Sequence, residues 1–423
     1  MNNIDIKIKD GITLHIIKTN KFKTNLLSVF LTTPLSSKNV TKNALIPAVL
    51  RRGSKNMETQ EKISRTLEEM YGASFDCGID KIGDDQILKF YLETINNNFL
   101  PDDEDNLEKA VRILLEIVFN PYTQNGIFLP EYVESEKDNL KQIIEGKNDS
   151  KALYAYERCI EEMYKDKPFG LYKYGTTKDL ETINNENLYE SYLNLLKDCK
   201  IDIFISGDID EEIKEKIIND DNIKRISERT PRYIINNLQV REKEEKQEQL
   251  IEEKMNIAQG KLVIGMDILN ENEEDKYKAL VYNTILGGMP SSKMFQNVRE
   301  KNSLAYTASS TFLRQKGNIF IKCGIESQNF EKALKIIREQ IVDMTNGEFS
   351  NEIIDEAKKN IISTIRAIPE EQDTELVYYF SQELSGYKIS YEEYILYIQN
   401  VNKADIIDVA KKMQINTIYF LTK

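Results

Sequence analysis

The stretch LGGMPSSKMFQNVREKNSLAY, residues 286–306, decides the fold. Its pattern predicts a helix that ends at a glycine pair, a turn, a second helix, and then the first of two strands. In the first half of the chain, TLEEMYGAS at residues 66–74 lines up with VREKNSLAYTAS at residues 298–309. This correspondence indicates that the chain contains two copies of one plan.

The segments on either side of these stretches repeat in the same order. NLEKAVRILLEIVFN at residues 106–120 and NFEKALKIIREQIVDM at 329–344 match in spacing and residue type. KIDIFISGD at 200–208 and TIYFLTK at 417–423 are predicted strands that close each copy. The period of roughly 200 residues is too long for a solenoid. We therefore expect two homologous α+β domains from an internal duplication, each with an antiparallel-rich sheet packed by helices.

The repeat places the expected domain boundaries. We predict a first domain over residues 1–222, a charged linker over 223–255 and a second domain over 256–423. The linker contains REKEEKQEQLIEEK (241–254), a charge run with little periodicity that is typical of a solvated linker or an exposed edge. One long helix is predicted from about Pro130 to Tyr164.

Composition excludes several functional classes. The 423 residues are 40% hydrophobic with a net charge of −13, so nucleic acid is not an expected partner. No signal peptide and no apolar run of about 18 residues is found, which predicts a cytoplasmic protein without a membrane span. The cysteines show no CxxC pattern, so neither a disulfide framework nor a cysteine zinc site is indicated. They are Cys77, Cys159, Cys199 and Cys323.

Two phrases resemble the M16 family of zinc peptidases, the inverted-zincin or pitrilysin group. The first phrase runs from PFGLYKYGTT to ISGD, and its matching positions are Pro168, Phe169, Gly170, Gly175, Gly207 and Asp208. The second is the stretch 286–306, and its matching positions are Leu286, Gly287, Gly288, Ser291, Ser292, Phe295, Arg299, Glu300, Lys301, Leu304, Ala305 and Tyr306. The resemblance runs along nearly the whole chain and implies two M16/LuxS-like α+β domains.

The resemblance also implies a zinc motif, which this sequence lacks. Active members carry H-x-x-E-H on a helix, where two histidines bind zinc and the glutamate acts as general base. Those positions are Ala44, Pro47 and Ala48 here, within TKNALIPAVLRRGS. Glu136, with Glu134 as its neighbour, corresponds to the third ligand. The only histidine, His15, lies in a predicted strand, so we expect neither a metal nor a catalytic residue in this chain.

The second half keeps the family's other functional pair. In the family, an arginine and a tyrosine seven positions apart bind the peptide and stabilise the oxyanion, and Arg299 and Tyr306 have that spacing. A guanidinium offers fixed donors to a carbonyl, and a phenol can donate to the developing charge. The alternative is that Arg299 is an ordinary surface residue and Tyr306 half-buried packing.

These features lead to two functional hypotheses. The first is a non-catalytic subunit that pairs with a zinc-bearing M16 paralogue, with zinc only in that partner, and contributes Arg299 and Tyr306 to peptide hydrolysis; the chain could otherwise form a homodimer. The second is a non-catalytic scaffold or peptide-binding protein of a larger complex. Within the family, the sequence most resembles inactive-type proteins of Firmicutes that are associated with 5-aminopentanol modification of elongation factor P.

Overall fold

The computed structural model describes residues 3–101, 104–226, 229–231, 243 and 245–423. The chain forms two compact units, each built around one sheet. The first unit consists of residues 1–146, 171–234 and 372–380, and the second of residues 147–170, 235–371 and 381–423. No helix among the described residues combines the length and the apolar character needed to cross a bilayer.

The first unit contains a six-stranded sheet in the order β1-β2-β6-β3-β5-β4. The β2–β6 pair is parallel and the other pairs are antiparallel. Apolar residues alternate along the first two strands, and the Asp10-Gly11 turn between them places Gly11 at a φ of +69°. The strands are β1 Asn3–Lys9, β2 Ile12–Lys18, β3 Thr24–Pro34, β4 Ser74–Ile82, β5 Asp85–Ile95 and β6 Lys200–Gly207.

The second unit repeats this topology. Its strands are β7 Gln249–Lys254, β8 Gly260–Ile268, β9 Ala305–Leu313, β10 Asn318–Ile325 and β11 Met413–Thr422. Their order is β7-β11-β8-β10-β9, and only the β7–β11 pair is parallel. The strands β7, β11, β8, β10 and β9 correspond, in that order, to β2, β6, β3, β5 and β4 of the first sheet. The two sheets have the same strand order and the same strand directions, and β1 is an additional strand of the first sheet. The α+β fold class and the internal duplication are therefore confirmed.

Helices cover both sheets. They are α1 Val40–Leu50, α2 Gln60–Glu69, α3 Asn106–Phe119, α4 Pro130–Gly146, α5 Lys151–Met163, α6 Thr177–Glu181, α7 Asn185–Asp198, α8 Glu211–Ile218, α9 Asp221–Arg225, α10 Asp275–Asn283, α11 Phe330–Asn346, α12 Asn351–Ala367, α13 Gln372–Ser385, α14 Tyr391–Asn400 and α15 Lys403–Lys411. The repeated segments 106–120 and 329–344 form α3 and α11. The helices that follow them along the chain, α4 and α12, also correspond.

The single long helix predicted from Pro130 to Tyr164 is wrong, because the segment forms α4 and α5 with a break between them. The break follows Gly146 and contains Asn148, Asp149 and Ser150, whose side chains compete with helical hydrogen bonding. The Ser150 hydroxyl accepts a hydrogen bond from the Leu153 N–H at 3.4 Å and caps the start of α5. The two helices belong to different units.

Each unit includes a helical segment from the other half of the sequence. Residues 147–170, which contain α5, belong to the second unit, and α5 packs on β8 and β11. A Cβ added at Gly265 on β8 would lie 2.7 Å from the Met163 Sδ atom, so α5 approaches this strand closely at the glycine. Residues 372–380, the start of α13, belong to the first unit. Because of this exchange, neither unit is one contiguous segment of the chain, whereas we expected contiguous domains from the sequence. The expected domain boundaries otherwise stay a prediction.

The predicted linker contains a strand. Residues 249–254 form β7, an edge strand whose side chains are mostly exposed. Of the two predicted alternatives, a solvated linker or an exposed edge, these residues match the exposed edge. The parallel β7–β11 pairing adds this strand to the second sheet. Residues 227–228, 232–242 and 244 of the predicted linker lie outside the described residues.

Candidate functional site

The helix α1 carries Ala44, Pro47 and Ala48, the three positions that the family resemblance aligns with the zinc motif. Ala44 and Pro47 are buried, and the helix packs against α4 and β4. Pro47 has no N–H and therefore cannot donate the helical hydrogen bond to the Asn43 carbonyl. Methyl groups and a pyrrolidine ring offer neither a metal ligand nor a proton acceptor, so this helix serves packing.

Glu136 lies on α4 and is only 7% exposed. Its Oε1 atom accepts a hydrogen bond from the Nε of Arg52, which follows α1, and its Oε2 atom accepts one from the Asn139 Nδ2 at 3.0 Å. The Arg52 Nη2 atom donates to the Ser135 hydroxyl at 2.9 Å. Both carboxylate oxygens therefore already have donors, and the charge is neutralised by an arginine.

The nearest thiol does not supply a ligand either. The Cys77 Sγ on β4 donates to the Pro47 carbonyl at 3.4 Å. Burial raises the pKa of Cys77 to about 12, with Asp76 and Glu136 adding to the rise and Arg51 opposing it. A metal binds the thiolate, and the thiol form dominates at neutral pH. With a carboxylate held by arginine and a neutral thiol, these residues do not fit a zinc ion, which needs about three protein ligands.

His15 is buried in the first sheet, where it packs against neighbouring side chains. The ring is fully buried on β2 and stacks on Phe204 with centroids 4.2 Å apart. Its Nδ1 atom lies 2.8 Å from Asp5 Oδ1, and its Nε2 atom lies 3.0 Å from Asp202 Oδ1. Each ring nitrogen thus lies within hydrogen-bonding distance of a carboxylate, so His15 belongs to a polar network within the sheet.

Arg299 lies in the second unit on a distorted helix. Residues 295–300 form a π-helical turn, where the sequence predicts an ordinary helix. The guanidinium lies over the Phe295 ring at 4.5 Å from the centroid, and its Nε is 3.6 Å from Glu300 Oε1. The side chain is 43% exposed. π-Turns are rare and often occur at functional sites.

Tyr306 lies at a second irregularity, a β-bulge near the start of β9. Ala305 pairs with Ile325 and Thr307 pairs with Gly324, so Tyr306 is an extra residue between two consecutive partners. Bulges bend a strand and redirect side chains. The ring is 69% exposed, and the described residues provide no hydrogen-bond partner for its hydroxyl. The expectation of a half-buried packing residue does not describe this side chain.

A short closed loop joins these two residues. The Ser303 N–H donates to the Arg299 carbonyl at 3.0 Å, with Ser303 at a φ of +51°, and the Leu304 N–H donates to the Val298 carbonyl at 3.1 Å. The Asn297 Nδ2 atom donates to Gln340 Oε1 on α11 at 2.6 Å. The arginine and the tyrosine are therefore attached to a constrained backbone.

The first unit has a corresponding backbone hydrogen bond between the end of its helix and the start of its strand, but its side chains there differ. The Ala73 N–H donates to the Leu67 carbonyl at 3.0 Å, as Leu304 does to Val298. When the two halves of the sequence are aligned on these two hydrogen bonds, Glu68 corresponds to Arg299 and Phe75 corresponds to Tyr306. Phe75 pairs regularly with Leu92, and α2 is an ordinary α-helix. At these corresponding places, the π-turn and the bulge are present in the second unit and not in the first, and no residue pattern in the sequence predicted either of them.

Two copies of one α+β fold, the first without metal ligands and the second with an exposed arginine and tyrosine, define an inactive-type relative of a two-domain metallopeptidase. The family model described as "Peptidase M16 inactive domain" matches residues 182–361. The chain is 37% identical over 412 residues to a protein of Bacillus subtilis (strain 168) named "Probable inactive metalloprotease YmfF", covering 97% of this chain and 96% of that one. The chain belongs to the M16 peptidase family.

Other relatives extend this comparison. The chain is 26% identical over 322 residues to a protein of Rickettsia bellii named "Uncharacterized zinc protease", covering 73% of each chain. The crystal structure of a conserved protein from Enterococcus faecalis V583 matches with a TM-score of 0.88 and 28% identity, covering 100% of this chain and 99% of that one. The chain is thus similar both to a protein named as an inactive metalloprotease and to one named as a zinc protease.

Proposed function

We propose that this chain is the metal-free subunit of a cytoplasmic two-chain zinc peptidase. A zinc-bearing M16 paralogue would supply the metal and the general base, and this chain would supply Arg299 and Tyr306. The proposal is supported by one observation: the second unit presents both side chains to solvent on constrained backbone. In the first unit, the positions that the family resemblance assigns to the zinc motif are alanine and proline.

The chemistry of the pair suits a peptide substrate. A guanidinium presents planar donors to a peptide carbonyl, and the exposed Tyr306 hydroxyl is available to donate to the oxyanion that forms during hydrolysis. The stack on Phe295 restricts the directions that the Arg299 side chain can take. In this role the two residues would bind substrate and stabilise charge, and the partner's zinc would supply the activation of the attacking water.

The test is reconstitution with the zinc-bearing M16 protein encoded by the same genome. The mixture should cleave a quenched-fluorescence peptide library in a chelator-sensitive manner, and neither chain alone should do so. We expect Arg299→Ala to lower kcat/KM by about 100-fold or more, and Tyr306→Phe to lower it by a comparable factor. Arg65→Ala on α2 is a matched control, because this arginine is also exposed and lies on the corresponding helix of the first unit.

Two outcomes would contradict the proposal. A reconstituted activity that is equal for Arg299→Ala and Arg65→Ala would remove the assignment of the site. A mixture that never cleaves peptides, together with stable copurification of a protein that is not a peptidase, would favour the scaffold hypothesis.

A further inference from the structure

A polar cavity of about 220 Å³ lies in the first unit, between the start of α1 and one face of α7. Lys42 and Ala44 are two residues apart on α1, which is about 200° around a helix. The cavity therefore lies on the other side of α1 from Ala44, and it is separate from the zinc-motif positions. Its lining includes Asn39, Lys42 and Asn43 on the α1 wall and Glu190, Ser191 and Asn194 on the α7 wall.

Most polar side chains of this lining have no partner in the protein. Among the residues that the structure describes, no hydrogen bond or ion pair is made by the side chains of Asn39, Lys42, Glu190, Ser191 and Asn194. Asn39 is also the N-cap residue of α1, and its side chain does not cap the helix. These groups are therefore available to a molecule that enters the cavity.

Asn43 adds a buried polar group to the same lining. The residue is only 3% exposed. Its Nδ2 atom donates to the Gln86 Oε1 atom at 3.1 Å, whereas its Oδ1 atom accepts no hydrogen bond from the described residues. A buried polar atom without a partner costs free energy. Its presence in the lining indicates that a molecule in the cavity supplies the missing donor.

The corresponding helices of the second unit have paired charges instead. α10 follows β8 as α1 follows β3, and α15 precedes β11 as α7 precedes β6. Between α10 and α15, the Lys278 Nζ atom lies 3.6 Å from the Asp405 Oδ1 atom. In the first unit, Lys42 and Glu190 face the cavity from α1 and α7 and form no ion pair. The first unit thus keeps two opposite charges unpaired at this place.

We propose that this cavity binds a small zwitterion of the amino-acid type. The Lys42 ammonium and the N-terminal end of α1 suit a carboxylate, because both attract negative charge. The Glu190 carboxylate on the opposite wall suits an ammonium group. The free Asn43 Oδ1 atom accepts a further N–H donor. A simple anion or a simple cation would leave the charge of one wall unmatched.

A groove that holds only water is the alternative. Water can donate to the Asn43 Oδ1 atom and can hydrate both charges. It does not require that a positive and a negative charge face one cavity from opposite walls. The two alternatives therefore differ in whether a ligand with both charges binds here.

The first experiment is isothermal titration calorimetry of the full-length chain with each of the common amino acids. We expect at least one of them to bind with a Kd of about 1 mM or tighter. Its N-acetyl derivative lacks the ammonium and its amide lacks the carboxylate, so each should bind about tenfold or more weakly. No binding by any amino acid up to about 10 mM, or equal binding by either derivative, would overturn the proposal.

The second experiment repeats the titration with variants of the cavity. Lys42→Ala and Glu190→Ala should each weaken binding by about tenfold or more. Neither side chain has a described partner to lose, so both variants should fold. Lys38→Ala and Glu186→Ala are matched controls, because these residues are exposed, lie beside α1 and on α7, and do not line the cavity.

The control variants should bind the amino acid within about twofold of the parent, because exposed charges away from the ligand are screened. Equal losses for the cavity variants and the controls, or no loss for either cavity variant, would overturn the proposal. Both experiments use this chain without a partner or a peptide substrate, so their results do not depend on the proposed peptidase role.

Discussion

The Phe380 ring lies flat on the Phe30 ring, with centroids 3.9 Å apart and the ring planes 16° apart. Phe30 is on β3, and Phe380 is on the part of α13 that belongs to the first unit. At the start of the same helix, the Gln372 Nε2 atom donates to the Ser206 carbonyl on β6 at 2.9 Å. This segment is therefore part of the core of the first unit, although it lies more than 130 residues beyond that unit's other segments.

The first prediction concerns this stacked pair. Phe380→Ala should lower the free energy of unfolding by about 3–5 kcal/mol, because it removes a buried ring and leaves a cavity. Val377, on the same helix and 43% exposed, is the matched control, and Val377→Ala should change stability by less than about 0.5 kcal/mol. Urea unfolding measures both variants. Similar small losses for the two would show that the ring does not contribute to the core.

A second prediction compares two glycines with positive φ. Gly175 has a φ of +73°, and an added Cβ would lie 2.8 Å from the Thr41 Cα. Gly126 has a φ of +80°, and nothing lies within 4 Å of an added Cβ. Gly175→Ala combines backbone strain with overlap and should cost about 3 kcal/mol or more, whereas Gly126→Ala should cost about 1–2 kcal/mol. Equal losses in urea unfolding would show that the close approach to Thr41 is unimportant.

The third prediction concerns the reactivity of Cys77. With a pKa raised to about 12 by burial, this thiol should react with Ellman's reagent about a thousandfold more slowly at neutral pH than a free cysteine. Its rate should rise about tenfold per pH unit up to that pKa, because only the thiolate reacts. Stopped-flow measurement on a variant with serine at the other three cysteine positions isolates this residue. A rate within tenfold of free cysteine would contradict the prediction.

The fourth prediction concerns pH and Glu253. Burial raises the pKa of this carboxyl, but hydrogen bonds from Tyr154 and Tyr419 and the charge of Arg158 lower it overall. The Tyr419 hydroxyl donates to Glu253 at 2.7 Å. Because the folded pKa is lowered, the stabilisation is present above the unfolded pKa and is lost as the pH falls through the folded pKa.

Tyr419→Phe should therefore destabilise the chain more at pH 7 than at an acidic pH below the lowered pKa of Glu253, where this carboxyl is protonated. Urea unfolding at the two pH values measures this difference. Tyr306→Phe is the control, since the exposed ring has no described partner and should change stability at neither pH. A loss from Tyr419→Phe that is independent of pH would show that the ionised carboxylate is not involved.

Features encoded by periodicity and by repetition were predictable from the sequence. The strands at 200–208 and 417–423 followed from their apolar patterns, and the duplication followed from segments such as 106–120 and 329–344. The loss of the zinc motif was also predictable, because one histidine cannot provide two ligands. These features depend on residue type and spacing alone.

Features that depend on tertiary contacts were not predictable. The local sequence signal for the break before α5 is weak. The segment forms two helices because α4 packs in the core of the first unit and α5 packs in the core of the second. The π-turn at Phe295–Glu300 and the bulge at Tyr306 each displace the backbone by one residue without a glycine or proline to mark them. The pairing of Arg52 with Glu136 joins residues 84 positions apart.

The reciprocal placement of α5 and the start of α13 bears on how the duplicated chain originated. An ancestor with a single copy would have had no second sheet of its own to receive this helix. The helix could instead have packed on the sheet of a second molecule, as in a domain-swapped homodimer. Gene fusion would then turn such an intermolecular exchange into the intramolecular one that this chain has.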